Sequence, residues 1–150
     1  MSEYRAAHRY ALALIGVAEE RNEVDQVGRD CLHLDGLLSG SRDLLLFLHS
    51  PVINANKKRP VLDELLRGRI GETMLKFLFF LVSRGREGIL PQILTEFFRL
   101  RDERMGIMHG TASVAVPLTP AQEQRLIERL EQATKKTVRM KYVVDASLKA

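Results

Sequence analysis

The side chains that most often carry chemistry are sparse in this chain. They are four histidines and a single cysteine, at His8, Cys31, His33, His49 and His109. Only Cys31 and His33 are close in sequence, and a spacing of two residues places them on different sides of a helix. No other histidine, cysteine or carboxylate stands at a spacing diagnostic of a metal site. The sequence therefore predicts no metal and no cofactor.

Two short segments suggest other chemistry, and each has a simpler interpretation. Ser83–Gly88 contains two glycines, but it follows a helix rather than a strand, so a helix end is favoured over a phosphate-binding loop. His49-Ser50 precedes Pro51, and no third residue that would complete a catalytic triad is visible. We therefore predict a non-catalytic protein, with a small enzyme assembled from distant residues as an alternative.

Positive charge is concentrated at one end of the chain. After residue 134, a single acidic residue, Asp145, stands against five basic residues: Lys135, Lys136, Arg139, Lys141 and Lys149. This excess equals the net charge of +4 of the whole chain, so residues 1–134 are neutral. A nucleic-acid-binding face spreads positive charge more widely, so we predict no nucleic-acid partner. A helical adaptor or RNA-binding bundle with a basic C-terminal end remains the alternative, and a steep salt dependence would distinguish it.

Composition and length indicate a soluble globular protein. The chain has 150 residues, of which 45% are hydrophobic and 28% are charged, as in one domain or one domain with a small second unit. No apolar run approaches the ~20 residues needed to cross a bilayer, and the N-terminus leads into an amphipathic helix instead of a signal peptide. The single cysteine fits a reducing compartment. An intracellular protein is expected.

The hydrophobic periodicity predicts a mainly α protein in two parts. Residues 1–105 are predicted to form a six-helix bundle, and residues 106–150 a small strand–helix–strand α/β unit. The predicted helices cover 3–21, 23–39, 43–49, 57–67, 72–84, 89–104 and 120–134, and the predicted strands cover 107–118 and 137–144. A helix cap is expected within Asn54-Ala55-Asn56 and another at Thr119, with Pro60 and Pro120 in first turns. A lone strand–helix–strand is a poor domain, so we expect this unit to be incomplete.

Two helical faces carry more apolar residues than one core needs. In Met74–Val82, placing residues at intervals of 100° leaves Phe79 and Phe80 outside the main stripe. The first helix has an unusually wide stripe rich in alanine, which lets another helix approach closely. Both faces either belong to the core or form a groove that accepts an amphipathic helix from a partner.

Three stretches resemble one family. Arg9–Leu14 (Arg-Tyr-Ala-Leu-Ala-Leu) is similar to the signature of its first helix. Arg84-Gly85-Arg86 with Leu90–Leu100 is similar to its Asn/Arg-Gly-Arg segment and sixth helix, and Ala112–Thr119 with the Thr134–Lys136 turn resembles its strand–helix–strand end. By these motifs the whole chain resembles the delta subunit of the rotary ATP synthase, related to the mitochondrial oligomycin-sensitivity-conferring protein.

The resemblance implies a non-catalytic stator subunit of a proton-transporting complex. Its N-terminal domain would bind the N-terminal helix of an alpha subunit between the first and fifth helices, and its C-terminal unit would join the C-terminal ends of the b subunits. By position, the implied groove residues are Tyr10, Ala13, Leu14 and Val17 on the first helix, and Phe77, Phe80, Leu81 and Arg84 on the fifth.

The resemblance also implies a peripheral position on the cytoplasmic face of the bacterial plasma membrane, without insertion into it. One feature departs from the family pattern. After an Asp-x-Ser-Leu segment, here Asp145–Leu148, the family continues into a further strand, a turn and a last helix, whereas this chain ends at Lys149-Ala150. We therefore expect residues 106–150 to be a truncated stalk-binding unit.

Overall fold

The computed structural model describes residues 2–148, and within them the protein is mainly helical with a two-stranded sheet. The elements, in chain order, are α1 (Glu3–Glu20), α2 (Val24–Gly40), α3 (Arg42–His49), α4 (Ala55–Leu66), α5 (Glu72–Ser83), α6 (Leu90–Arg104), β1 (Ile107–Val114), α7 (Pro120–Thr134) and β2 (Thr137–Val144). The predicted helices are confirmed to within two residues at each end. The chain end at Lys149-Ala150, where the sequence departs from the family pattern, lies outside the described residues.

The chain divides into two units, one up to Leu100 and the other from Arg101 onward. The sequence analysis placed this division at residue 105. The last four residues of α6 group with the second unit, in which Oδ2 of Asp102 lies 2.7 Å from Nε2 of His109 on β1.

Helices α1 to α6 contribute to one hydrophobic core in the first unit. The face of α1 that enters it combines Leu14 and Ile15 with small side chains, of which Ala7, Ala11 and Ala18 are all at most 1% exposed. The largest fully buried side chain is Phe97 of α6. Burying a large apolar side chain stabilises the fold by about 1.5–3 kcal/mol, so this core accounts for the order of the first unit.

Helix ends follow the signals in the sequence. The side chains of Ser2, Ser41 and Asn54 each accept a hydrogen bond from a backbone N–H of the first turn that follows. Thr119 forms a full capping box with Gln122, since each side chain accepts from the other residue's backbone N–H. The cap predicted at Thr119 is thus confirmed, and the cap predicted within Asn54-Ala55-Asn56 is formed by Asn54.

The prediction for Pro60 was wrong. Because α4 begins at Ala55, Pro60 is its sixth residue and lies in the second turn. Proline has no N–H, so the carbonyl of Asn56 loses its usual helical partner. Both residues are exposed, which leaves that carbonyl accessible to water.

The second unit is a parallel β1–β2 pair connected through α7. The pairing runs from Ile107 opposite Thr137 to Val114 opposite Val144. Strand β1 ends four residues before the predicted position because β2 offers no partner beyond Val144, where the chain turns away. Val138 is the only buried residue among the described residues of this unit. No helix in the described part of the chain is long and apolar enough to span a membrane.

Candidate partner-binding groove

Helices α1 and α5 meet at an aromatic pair. The ring centroids of Tyr10 and Phe80 are 6.1 Å apart, and the ring planes meet at 62°, an edge-to-face arrangement. The guanidinium carbon of Arg84 lies 5.3 Å from the centroid of Phe80, within the range of a cation–π contact. Phe80 nevertheless remains 43% exposed. An aromatic ring that is held in place on two sides and open on a third is suited to serve as a binding anchor.

Two cavities flank Phe80. The first, of about 430 Å³, is lined by Ala6, Arg9, Tyr10, Ala13, Phe80, Arg84 and Arg86. The second, of about 290 Å³, is lined by Ala13, Leu14, Val17, Arg21, Thr73, Lys76, Phe77 and Phe80. Because Ala13 and Phe80 line both cavities, the two form one depression between the helices. We call it the α1–α5 groove.

Most of the residues implied by the resemblance lie in this groove with accessible surface. They are Tyr10, Ala13, Val17, Phe77, Phe80 and Arg84. Leu14 lines the second cavity but is only 1% exposed, so it belongs mainly to the core.

Leu81 requires a correction. It is 0% exposed and lines neither cavity of the groove, so it offers no surface to a partner. The reason is helical geometry, since one residue beyond Phe80 is about 100° around the helix, which turns Leu81 into the core.

Of the positive charges of the groove, the sequence analysis named only Arg84. Arg9 precedes Ala13 by four residues, Arg21 follows Val17 by four, and Lys76 and Arg84 stand four residues on either side of Phe80. These are the i±4 neighbours of the apolar stripe, which share its face of the helix. Extending the apolar stripe of each helix by one turn in each direction would have added Arg9, Arg21 and Lys76 to the predicted site.

The end of α5 positions two cations of the groove, Arg84 and Arg86. The N–H of Gly85 bonds to the carbonyl of Val82 at 3.1 Å, and the N–H of Arg86 bonds to the carbonyl of Leu81 at 2.9 Å. Together these bonds form a Schellman motif, which needs the left-handed conformation that Gly85 adopts with φ +64°. The predicted helix end at Ser83–Gly88 is therefore confirmed, and its turn places Arg84 and Arg86 at the groove.

Phe79 packs elsewhere. It is half-buried against the core of the first unit, and the guanidinium carbon of Arg59 lies 4.6 Å from its ring centroid. Adjacent phenylalanines on α5 thus have different surroundings, with Phe79 on the side of α4 and Phe80 in the groove.

His8 and His109 each contact a single carboxylate, that of Glu96 and that of Asp102 respectively. Nδ1 of His8 lies 2.9 Å from Oε1 of Glu96, and Arg99 donates to the same carboxylate oxygen. The hydrogen bond from Arg99 lowers the pKa of Glu96, with His8 contributing in the same direction and burial opposing them. Across residues 2–148, no group of three or more His, Cys, Asp or Glu side chains is arranged to hold a metal ion.

Comparison with known families decides the identity of the chain. Residues 6–150 match the family model described as the ATP synthase delta (OSCP) subunit. The chain belongs to this family. It is 40% identical to ATP synthase subunit delta of Chlorobaculum parvum and 36% identical to that of Chlorobium phaeobacteroides. Each match covers 99% of this chain and 82% of the relative.

A solved structure shares the fold of this delta-family chain. It is a chain of the Toxoplasma gondii mitochondrial ATP synthase hexamer determined by cryo-electron microscopy. The TM-score is 0.69 at 24% sequence identity, and the match covers 94% of this chain and 79% of that chain.

Membership of the delta (OSCP) family confirms the resemblance seen in the sequence. The chain is a non-catalytic, structural subunit of the ATP synthase peripheral stalk, in a membrane-associated complex that couples proton transport to ATP synthesis. Membership of this family favours the stalk role over the alternative suggested by the basic C-terminal end, a helical adaptor or RNA-binding bundle.

Proposed function

We propose that this subunit links the catalytic head of the ATP synthase to its peripheral stalk. Helices α1 to α6 act as a six-helix bundle that receives the N-terminal helix of the alpha subunit in the α1–α5 groove. The α/β unit joins the C-terminal ends of the b subunits, on the cytoplasmic face of the bacterial plasma membrane. Rotation of the central stalk exerts torque on the head, so the link must bind tightly and needs no chemistry.

The exposed ring of Phe80 carries the first part of this proposal. Tyr10 contacts it from α1 and Arg84 from its own helix end, while apolar cavities open on both sides. A helix laid along this groove would place apolar side chains in the cavities and cover the ring. Aromatic anchors of this kind dominate the energetics of interfaces of standard size.

Titration calorimetry of the full chain with an alpha N-terminal peptide tests the docking site. We expect Phe80→Asp to weaken binding by about 2 kcal/mol or more, the size of an interface hot spot. Val61→Asp is the matched control, because Val61 is 47% exposed on α4 and lines neither cavity of the groove. Unchanged affinity in a folded Phe80→Asp variant would remove the groove from the proposal.

The small core of the α/β unit supports its role at the stalk. Only Val138 is buried among its described residues, and each strand has one edge without a partner there. Such a unit gains stability when another chain covers it. A pull-down of the full chain with a b C-terminal segment, separate from the alpha segment, tests this contact, and no capture of the b segment would contradict it.

A further inference from the structure

We propose that the α1–α5 groove selects a partner helix whose apolar stripe is flanked by carboxylates at both ends. This inference rests on the proposed function of the groove as a docking site for a helix. Its basis is the sign of the charges there. Arg9, Arg84 and Arg86 line one cavity and Arg21 and Lys76 line the other, whereas no Asp or Glu of the described chain lines either cavity.

This concentration of positive charge does not follow from composition. Residues 1–134 are neutral overall, so an average surface would carry both signs. The carboxylate of Glu23 accepts a hydrogen bond from the hydroxyl of Thr73, which lines the groove, but Glu23 itself lies outside the lining. The charges are thus segregated, with cations along the groove and carboxylates elsewhere.

The positions of the cations set the length of the matching helix. Arg9 and Arg21 are twelve residues apart on α1, and Lys76 and Arg84 are eight apart on α5. At 1.5 Å per residue, these separations correspond to about 18 Å and about 12 Å. A partner helix of two to three turns would therefore fill the apolar floor and place its terminal carboxylates against guanidinium groups, which bind them in two-pronged geometry.

Charge also argues against two other occupants. A second copy bound symmetrically through the same groove would bring the same five cations against one another, and the basic segment after residue 134 would likewise be repelled. Like charges placed opposite each other across an interface disfavour association. An acidic amphipathic helix satisfies both the apolar floor and the positive rim.

Three synthetic helical peptides with one apolar stripe test the inference by titration calorimetry with the full chain. Their flanking positions are Glu, Gln or Lys. We expect the Glu peptide to bind about tenfold more tightly than the Gln peptide, and the Lys peptide to bind least. The preference should shrink between about 0.1 M and about 1 M salt, as the screening length falls from about 10 Å to about 3 Å.

Paired charge reversals locate the effect. Arg21→Glu/Lys76→Glu should remove most of the preference for the Glu peptide, whereas Arg42→Glu/Lys57→Glu, an equal charge change at exposed residues outside the groove, should leave it within about twofold. Equal binding of the Glu and Lys peptides, binding by none of the three, or the same loss in both double variants would overturn the inference.

The alpha N-terminal peptide, titrated in the same series, keeps the two proposals separate. If the alpha peptide does not bind but the Glu peptide is clearly preferred over the Lys peptide, the proposed partner is overturned. The preference of the groove for carboxylates then stands. Tight binding of the alpha peptide that is unaffected by replacing its carboxylates with amides would overturn the selectivity while the partner stands.

Discussion

Nζ of Lys58 lies 2.6 Å from Oε1 of Glu87, and both side chains are buried. The same ammonium group donates to the carbonyls of Leu48 and Ser50, each at 2.9 Å. Lys58 therefore ties the C-terminal end of α3 and the residue after it to the turn after α5, next to Arg86 of the groove. This buried charge, with its three oxygen partners, adds a polar link to the apolar contacts that Leu48 and Ile89 make in the core.

Removing Lys58 should leave a buried carboxylate without its ion pair. We expect Lys58→Met to lower the free energy of unfolding by about 3–5 kcal/mol, measured by urea denaturation, because Glu87 remains buried after its partner is lost. The double variant Lys58→Met/Glu87→Leu should be more stable than Lys58→Met alone, since no buried charge is left. Equal loss in both variants would show that the pairing does not govern this site.

The two adjacent phenylalanines of α5 should separate stability from binding. Phe79→Ala should destabilise the fold by about 1–2 kcal/mol, less than the 3–5 kcal/mol of a fully buried phenylalanine, because Phe79 is half-buried. It should leave the affinity for the alpha peptide nearly unchanged. Phe80→Ala should change stability little in thermal unfolding and weaken binding of the alpha peptide in calorimetry. If both variants lose stability and affinity to the same extent, the role of Phe80 in binding is contradicted.

Glu96 should make stability fall in acid. Its pKa lies below the ordinary 4.5 in the folded protein, mainly because Arg99 donates to the carboxylate. A lowered folded pKa stabilises the fold above the unfolded value, and this stabilisation is lost as the pH falls through the folded pKa. We expect the unfolding free energy of Glu96→Gln to depend less steeply on pH below about 4.5 than that of the wild type. Parallel pH profiles of the two proteins would contradict this.

Replacing Gly85 or Gly16 by alanine should change the free energy of unfolding in opposite directions. Gly85 has φ +64°, so Gly85→Ala should cost about 1 kcal/mol and loosen the turn that carries Arg84 and Arg86. Gly16 lies inside α1, and an added Cβ there would meet no atom within 4 Å. Gly16→Ala should therefore stabilise the fold by about 0.5–1 kcal/mol in the same denaturation experiment, and a gain at Gly85 would contradict the role of its backbone.

Periodicity and capping residues were sufficient to predict the helices and strands, because each element satisfies its own backbone and exposes one apolar stripe. They could not predict which neighbour covers a second stripe. Leu81 and Phe80 are adjacent in sequence, yet one is enclosed by the core and the other lies in the groove. The 100° projection separates these two residues, but only the packing of α1 beside α5 shows which helix borders the surface left open around Phe80. Extending each stripe by one turn would have added Arg9 and Lys76 to the predicted Arg84, but their grouping into one rim follows only from the packing of the two helices.

The buried alanines on the inner face of α1 help to set the width of the groove. Ala7, Ala11 and Ala18 are hidden behind Tyr10, Ala13 and Val17, where no partner can touch them. A larger side chain at any of them would push α1 away from the core, at a typical cost of about 1–3 kcal/mol, and would change the width of the groove. The fit of the helix proposed to dock here would thus be adjusted from inside the subunit, by side chains that are buried before any partner arrives.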